Sequence, residues 1–206
     1  MKALIVVDVQ NDFCEGGTLE VKNASEIIPI INNLITLFKK NKQFIISTKD
    51  WHPKNHKSFA VNSNKIIGEI GELNGLPQVW WPEHCIEYSF GAELHPELFY
   101  IENTIYKGTD PNVDSYSAFF DNGRKRKTQL GNILRKKGIH EIYIVGLATD
   151  YCVKYTVLDA IDLDFKVNIV EDACKGVNLQ EFDSELALKE IVHKGAHLIK
   201  STDIKF

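Results

Sequence analysis

The amino-acid sequence predicts an α/β fold with a mostly parallel central sheet. Two observations carry the prediction. Short apolar runs rich in β-branched residues recur at 2–9, 43–48, 104–107, 141–146, 166–170 and 197–199, with segments of helical spacing between most of them. The first run is apolar without alternation, as in a strand covered on both faces, and a strand, helix, strand order implies right-handed crossovers between parallel neighbours.

The run 2–9 contains Asp8, so a carboxylate sits where the strand stops, ahead of polar Gln10, Asn11 and Asp12 and the turn pair Gly16-Gly17. Ser25 is placed to cap a helix whose Ile27, Ile28, Ile31, Leu34, Ile35 and Phe38 keep helical intervals, with Pro29 in the tolerant first turn. The second strand leads to Asp50. Residues 51–100 then break the rhythm with scattered proline, glycine, histidine and aromatic residues. This long insertion after the second strand is expected to build a site, because Trp80, Trp81, Phe90 and Phe99 bring more apolar surface than water would tolerate. The strand 104–107 ends on Lys107, before Gly108, and a helix at about 126–137 closes on Gly138. After strand 141–146 a helix opens at Thr149 or Asp150, and strand 166–170, a helix at about 184–193 and strand 197–199 complete the series.

At 206 residues the chain can bury one substantial core and is short for two, so 1–206 reads as one domain. Its 44% hydrophobic and 25% charged residues exclude a disordered or disulfide-dependent class. A formal net charge of -4 gives nucleic acid and anionic membranes no electrostatic pull, and the one basic cluster, Arg124 to Lys127, reads as a solvated helix entrance. No run reaches membrane-spanning length, and the apolar start is too short for a signal peptide. Cys14, Cys85, Cys152 and Cys174 stand far apart without a C-x-x-C pair, the pattern of reduced thiols in a cytoplasmic protein. Neither nucleic acid nor membrane is expected as a partner; a homo-oligomer is compatible with these totals.

In an open parallel sheet, ligands bind beyond the carboxyl ends of the strands. Asp8, Asp50, Lys107 and the turn Ala148 to Cys152 all fall at such ends. A thiol in a first helical turn meets unpaired N–H groups and the positive end of the helix dipole, which favour thiolate. Singly, Cys152 reads equally as a small buried residue, Asp8 as a turn-forming acid and Lys107 as a surface lysine. Together at three strand ends they read as nucleophile, base and counter-charge. A second constellation, Asp50, His52 and His84, offers one carboxylate and two imidazoles, which suit Zn²⁺, Fe²⁺ or Mn²⁺ and leave coordination positions open. His56, beside Lys57, reads as a loop or supporting histidine and is left outside the ligand set.

The runs Asp8-Val-Gln-Asn-Asp-Phe13, Lys49-Asp-Trp-His-Pro53, Trp81-Pro-Glu-His-Cys85, Lys107-Gly108, Tyr116-Ser-Ala-Phe119 and Gly146-Leu-Ala-Thr-Asp-Tyr-Cys-Val153 span nearly the whole chain. Their order and spacing resemble the nicotinamidases, or pyrazinamidases, among the isochorismatase-like cysteine hydrolases. The resemblance implies a three-layer α/β/α fold and hydrolysis of nicotinamide, and of pyrazinamide, through a thioester. It implies a triad of Asp8, Lys107 and Cys152, and one divalent ion, zinc foremost, on Asp50, His52 and His84. It further implies an oxyanion hole from the N–H groups of Ala148 and Cys152, a cis peptide between Leu147 and Ala148, and an aromatic clamp of Phe13, Trp81 and Tyr116.

Two rivals make opposite demands. A metal-free hydrolase of the same fold, acting on N-carbamoyl or ureido substrates, needs no convergence of Asp50, His52 and His84. A non-catalytic metal- or partner-binding domain needs no reactive Cys152. Isochorismate hydrolysis is disfavoured, since that chemistry does not call for a thiol nucleophile.

Overall fold

The computed structural model describes all 206 residues. Its strands are β1 (Lys2–Val7), β2 (Phe44–Asp50), β3 (Ile70–Leu73), β4 (Leu76–Val79), β5 (Thr104–Lys107), β6 (Glu141–Leu147), β7 (Lys166–Lys175) and β8 (His197–Ile199). Its helices are α1 (Ile28–Lys40), α2 (Ala60–Ser63), α3 (Leu130–Lys136), α4 (Lys154–Asp162) and α5 (Asp183–His193). Six strands form the central sheet in the order β5-β2-β1-β6-β7-β8, and every pairing in it is parallel. β3 and β4 form a separate antiparallel hairpin.

The pleat of β1 divides the core between the two faces of the sheet. Leu4 and Val6 pack with Ile31, Ile35 and Phe38 of α1, whereas Ala3, Ile5 and Val7 pack with Leu134 of α3, Val157 of α4 and Ile191 of α5. Each such large side chain, removed from water, contributes about 1.5 to 3 kcal/mol before conformational entropy is counted. The result is the three-layer α/β/α arrangement.

Several expectations need correction. β1 ends at Val7, not Val9, because Asp8 turns into the left-handed region at φ 47°. Ser25 does not cap α1: it lies in a 3-10 turn, Ala24–Ile27, that precedes the helix, and its hydroxyl bonds Glu15. α3 starts at Leu130 rather than near 126, since Asp121 draws the N–H groups of Lys125 and Arg126 into a loop. That basic cluster is ion-paired, Arg124 with Asp159 and Asp162 and Arg126 with Asp110. β7 continues five residues beyond Val170, past a register shift opposite Ile144 and Gly146.

Within the insertion, Trp80 and Trp81 are buried, but Phe90 is 77% and Phe99 52% exposed, against the expectation that all four would be shielded. The hairpin there went unpredicted. Its turn is Asn74-Gly75, with φ of 52° and 77°, a pairing that favours two-residue hairpins.

Candidate active site

The carboxyl ends of β1, β2, β5 and β6 deliver four groups to one buried cluster. Lys107 closes β5 with its side chain fully buried, and its Nζ lies 2.9 Å from Asp8 Oδ2, 2.5 Å from Asp50 Oδ1 and 3.2 Å from Cys152 Sγ. It also donates to the carbonyl of Ser115 at 2.9 Å. Asp8, Asp50 and Cys152 offer atoms that all lie within 4.8 Å of one another. Thr48 donates to Asp8 Oδ1 at 2.5 Å and accepts from the Asp8 N–H at 3.1 Å, so neighbouring strand ends lock that acid. Asp8 Oδ2, although in ionic contact with Lys107, makes no hydrogen bond.

Cys152 sits in a π-helical turn, Thr149–Val153, between β6 and α4. Burial and neighbouring acids oppose the thiolate there. Burial pushes the thiol well above its ordinary value, Lys107 pulls it down, and the carboxylates of Asp8 and Asp50 push it up again. Desolvation and two acids outweigh the lysine. Asp8 is also raised, by burial first, with Lys107 opposing and Asp50 assisting. Burial opposes the charges of Asp50 and Lys107 too, but their mutual attraction prevails: Asp50 is held well below the carboxylate range and Lys107 well above the ordinary lysine value.

Asp50 faces two ways. While Oδ1 meets Lys107, Oδ2 lies 3.6 Å from His52 Nε2 and 3.9 Å from His84 Nε2. His52 Nδ1 bonds the Gly108 carbonyl at 2.9 Å and His84 Nδ1 the Pro82 carbonyl at 2.8 Å. A carbonyl can only accept, so each Nδ1 carries a proton, which leaves each Nε2, facing Asp50, as the ring atom available to a metal. Gly108 is required there: at φ 68°, any Cβ would lie 2.4 Å from the His52 ring. His52 Nε2 is buried without a hydrogen-bond partner. These separations are slightly wider than the roughly 3.4 Å between neighbouring ligands of a tetrahedral ion with bonds of about 2.1 Å. An orphaned donor atom, a second imidazole and a carboxylate oxygen therefore fit a borderline divalent ion. Burial opposes charge on His52 but Asp50 raises it, so the cluster already attracts positive charge at this point. Burial and the neighbouring His52 lower His84 to about 4, which keeps it a neutral donor.

His56 adjoins the Asp50–His52–His84 group, its ring centroid 4.5 Å from that of His52, but its ligand-capable atoms fall in a separate set with His52 and Asp114. Its Nδ1 accepts from the Ser58 N–H at 3.1 Å, so its tautomer is opposite to that of the other two, and its near neighbours are His52 and Asp114.

Phe13, Trp81 and Tyr116 wall a narrow cavity of about 30 Å³ that reaches Asp50, His84 and Cys152. Trp81 Nε1 donates to the Tyr116 hydroxyl at 3.2 Å, which fixes the two rings relative to each other. Ala148 lines the same cavity; the peptide before it is cis, and its N–H donates to no protein group. Leu19, Tyr151 and Val177 complete the cavity wall. Two larger surface grooves, of about 470 and 610 Å³, contain neither cysteine nor histidine.

Sequence reasoning missed Asp114, a buried acid in this wall. Gln78 donates to its Oδ2 at 2.9 Å and the Ser115 N–H to its Oδ1 at 2.8 Å. Its place two residues before Tyr116 was the available signal. Thr48 and Gln10 carried none, since each looks like an ordinary strand or loop residue.

Residues 2–203 match the isochorismatase domain family. The chain is 48% identical to the nicotinamidase of Escherichia coli (strain K12), over 98% of this chain and 96% of that one. The solved nicotinamidase/pyrazinamidase structure of Acinetobacter baumanii superposes with a TM-score of 0.93 at 44% identity, covering 98% of this chain and 97% of the other. The pyrazinamidase of Pyrococcus horikoshii, solved in complex with zinc, gives a TM-score of 0.81 at 38% identity, covering 97% and 98%. With its parallel sheet, its strand-end cluster and these full-length likenesses, the chain belongs to the nicotinamidases of the isochorismatase domain family.

Proposed function

We propose that the protein hydrolyses nicotinamide to nicotinate and ammonia, and pyrazinamide by the same route, through a thioester on Cys152. The observation that carries this reading is the convergence of Asp50, His52 and His84 beside the Asp8–Lys107–Cys152 cluster. A metal-free N-carbamoyl hydrolase has no use for that trio. Residues 1–206 act as one hydrolase domain, with the 51–100 insertion supplying His52, Trp81 and His84.

Asp50, His52 and His84 would hold a divalent ion, zinc foremost, which when bound supplies a Lewis acid for the ring nitrogen of the substrate. Phe13, Trp81 and Tyr116 clamp the flat ring and direct its carboxamide carbon at Cys152. Asp8 Oδ2 takes the thiol proton. Burial disfavours an isolated thiolate, but this transfer neutralises Asp8 as it charges Cys152, so the charge inside the cluster is unchanged and Lys107 balances it throughout. Sulfur attacks, and the N–H groups of Ala148 and Cys152 hold the oxyanion, each worth about 3 kcal/mol in comparable sites. Asp8 returns the proton to the departing amine, which leaves as ammonia. It then takes a proton from the water that opens the thioester, and nicotinate and the free thiol result. Asp114 supplies a further acceptor beside the imidazoles, on the cavity side.

Four unpaired cysteines support a cytoplasmic setting, and no helix is long and apolar enough to cross a membrane.

Ammonia release from nicotinamide, measured before and after chelation and with Zn²⁺, Fe²⁺ and Mn²⁺ restored singly, tests the reading. Activity lost with the metal and regained with at least one ion is expected. Metal-saturated protein silent on nicotinamide and pyrazinamide would refute it, and activity indifferent to chelation would return the choice to the metal-free rival.

A further inference from the structure

Two residues of the segment after β1 have no part in the reaction above, yet both are spent on the backbone that carries the ligand group. Gln10 is fully buried, and its amide spans Asp50: Oε1 accepts from the Asp50 N–H at 2.8 Å and Nε2 donates to the Asp50 carbonyl at 2.7 Å. Nε2 also donates to the Ala92 carbonyl at 2.9 Å. The amide replaces a strand. β1 pairs with β2 only as far as Val6 and Ser47, and Asp8 then turns away, so the end of β2 would lack partners on that side.

Asp12 serves the other segment. Its Oδ2 accepts from the Cys85 N–H at 2.7 Å, directly after His84, where Cys85 takes a left-handed φ of 46° that a non-glycine residue adopts only when held. Gly91 packs flat against this carboxylate; a Cβ there would lie 2.1 Å from Oδ2, so the acid is confined. Neither Gln10 nor Asp12 lines the cavity.

We infer that Gln10 and Asp12 are positioning residues of the metal site, Gln10 fixing the backbone that presents Asp50 and Asp12 the turn that presents His84. The inference rests on the reading of Asp50, His52 and His84 as ligands. One short segment thereby sets the base, through Asp8, and two of the three ligands. Without Gln10, a buried N–H and carbonyl at Asp50 lose their partners, and the strand end relaxes toward other ones. Without Asp12, the left-handed turn at Cys85 loses the bond that closes it.

The test uses the full chain, freed of metal and titrated with Co²⁺, whose visible spectrum reports ligand geometry. Affinity is set by competition with a chelator, and thermal unfolding of the metal-free protein reports the fold. Gln10→Met removes three hydrogen bonds at similar volume, and Gln10→Glu keeps only the acceptor for the Asp50 N–H. Asp12→Ala removes the Cys85 bond, and Asp12→Asn keeps an oxygen for it. Folded Gln10→Met and Asp12→Ala should bind Co²⁺ about 10- to 100-fold more weakly and show altered spectra. Gln10→Glu should lie between Gln10→Met and wild type, and Asp12→Asn should recover most of the loss in Asp12→Ala. Wild-type spectra and affinities, with only the unfolding temperature lowered, overturn the inference; if Gln10→Met or Asp12→Ala does not fold, Gln10→Glu and Asp12→Asn decide by the same criteria. Co²⁺ binding lost in His84→Ala but intact in the Gln10 and Asp12 variants overturns the inference alone. Wild-type protein that takes up no Co²⁺ overturns the ligand reading and the inference with it.

Discussion

Replacing Lys107 by methionine removes the cation from between two buried carboxylates while nearly preserving side-chain length. At an effective dielectric constant of about 20, unit charges as close as Nζ and Asp8 Oδ2, 2.9 Å apart, attract by about 6 kcal/mol, and Asp50 lies closer still. Desolvation offsets much of that attraction, and breaking one such buried pair typically costs about 3 to 5 kcal/mol. The remaining acids then face each other within 4.8 Å, so one of them holds a proton to higher pH than before. A carboxyl group whose folded-state pKa is raised makes the folded protein bind more protons than the unfolded chain, so stability falls as pH rises above about 4. In the wild type Asp50 works in the opposite sense. Its folded-state value is depressed, so its contribution is present above about pH 4 and lost only as pH falls toward that value. The deficit of Lys107→Met is therefore greatest at alkaline pH. Urea unfolding of the metal-free proteins should show a loss of about 3 to 5 kcal/mol at pH 8, and a loss about 1 to 3 kcal/mol smaller at pH 5.5. An equal loss at both values would refute the charge reading and leave Lys107 as packing.

Three further outcomes follow from the same geometry. Cys152→Ser should lower ammonia release at least about 10³-fold while Zn²⁺ stoichiometry stays at the wild-type value, because a hydroxyl is a far weaker nucleophile under the same base; retention of a tenth of the activity would exclude the thioester. Since Asp8 must be ionised to act, kcat/KM for nicotinamide should fall as pH drops through a value above the ordinary carboxylate range, raised by burial; Thr48→Val, which removes a bond that lowers Asp8, should move that limb to higher pH, and a limb that stays or moves down contradicts the assignment. Trp81→Phe loses the bond to the Tyr116 hydroxyl, worth about 1 kcal/mol, and should raise KM for nicotinamide about 5-fold with kcat nearly constant; a collapse of kcat alone would mean that Trp81 does more than hold the ring.

Which strands build the central sheet, and what stands at their ends, was legible because both are local. An unbroken apolar run followed by Asp8, Asp50 or Lys107 carries its own signal. The state of Cys152 was not, since it depends on how many acids the fold gathers round a thiol, and the strand-to-helix junction showed only the helix. Residues whose work is a hydrogen bond to a distant backbone leave no periodic mark, which hid Gln10 and Thr48. Asp114 was hidden for a related reason: two residues before a recognised aromatic, it gains meaning only when Gln78 and His56 arrive from the insertion. The Asn74-Gly75 turn does carry a local hairpin signal, but the irregularity of 51–100 masks it.

Asp50 is the point at which the thiol chemistry and the ligand group become one device. Its Oδ1 meets Lys107, which also touches Asp8 and Cys152, and its Oδ2 faces both imidazoles. A cation at the imidazoles would draw charge from the same carboxylate that now helps push the Cys152 thiol up. Less of the Asp50 charge would then bear on sulfur, and the proton would pass to Asp8 more readily. Loss of metal would thus weaken the nucleophile as well as the hold on the ring, two effects through one side chain. For the same reason chelation should lower wild-type turnover even of an amide whose ring lacks a metal-binding nitrogen, but not that of Asp50→Asn, which has no carboxylate charge to bear on sulfur, whereas a metal acting only as an anchor would leave such a substrate untouched in both. Turnover of benzamide by wild type and Asp50→Asn, before and after chelation, separates the two roles.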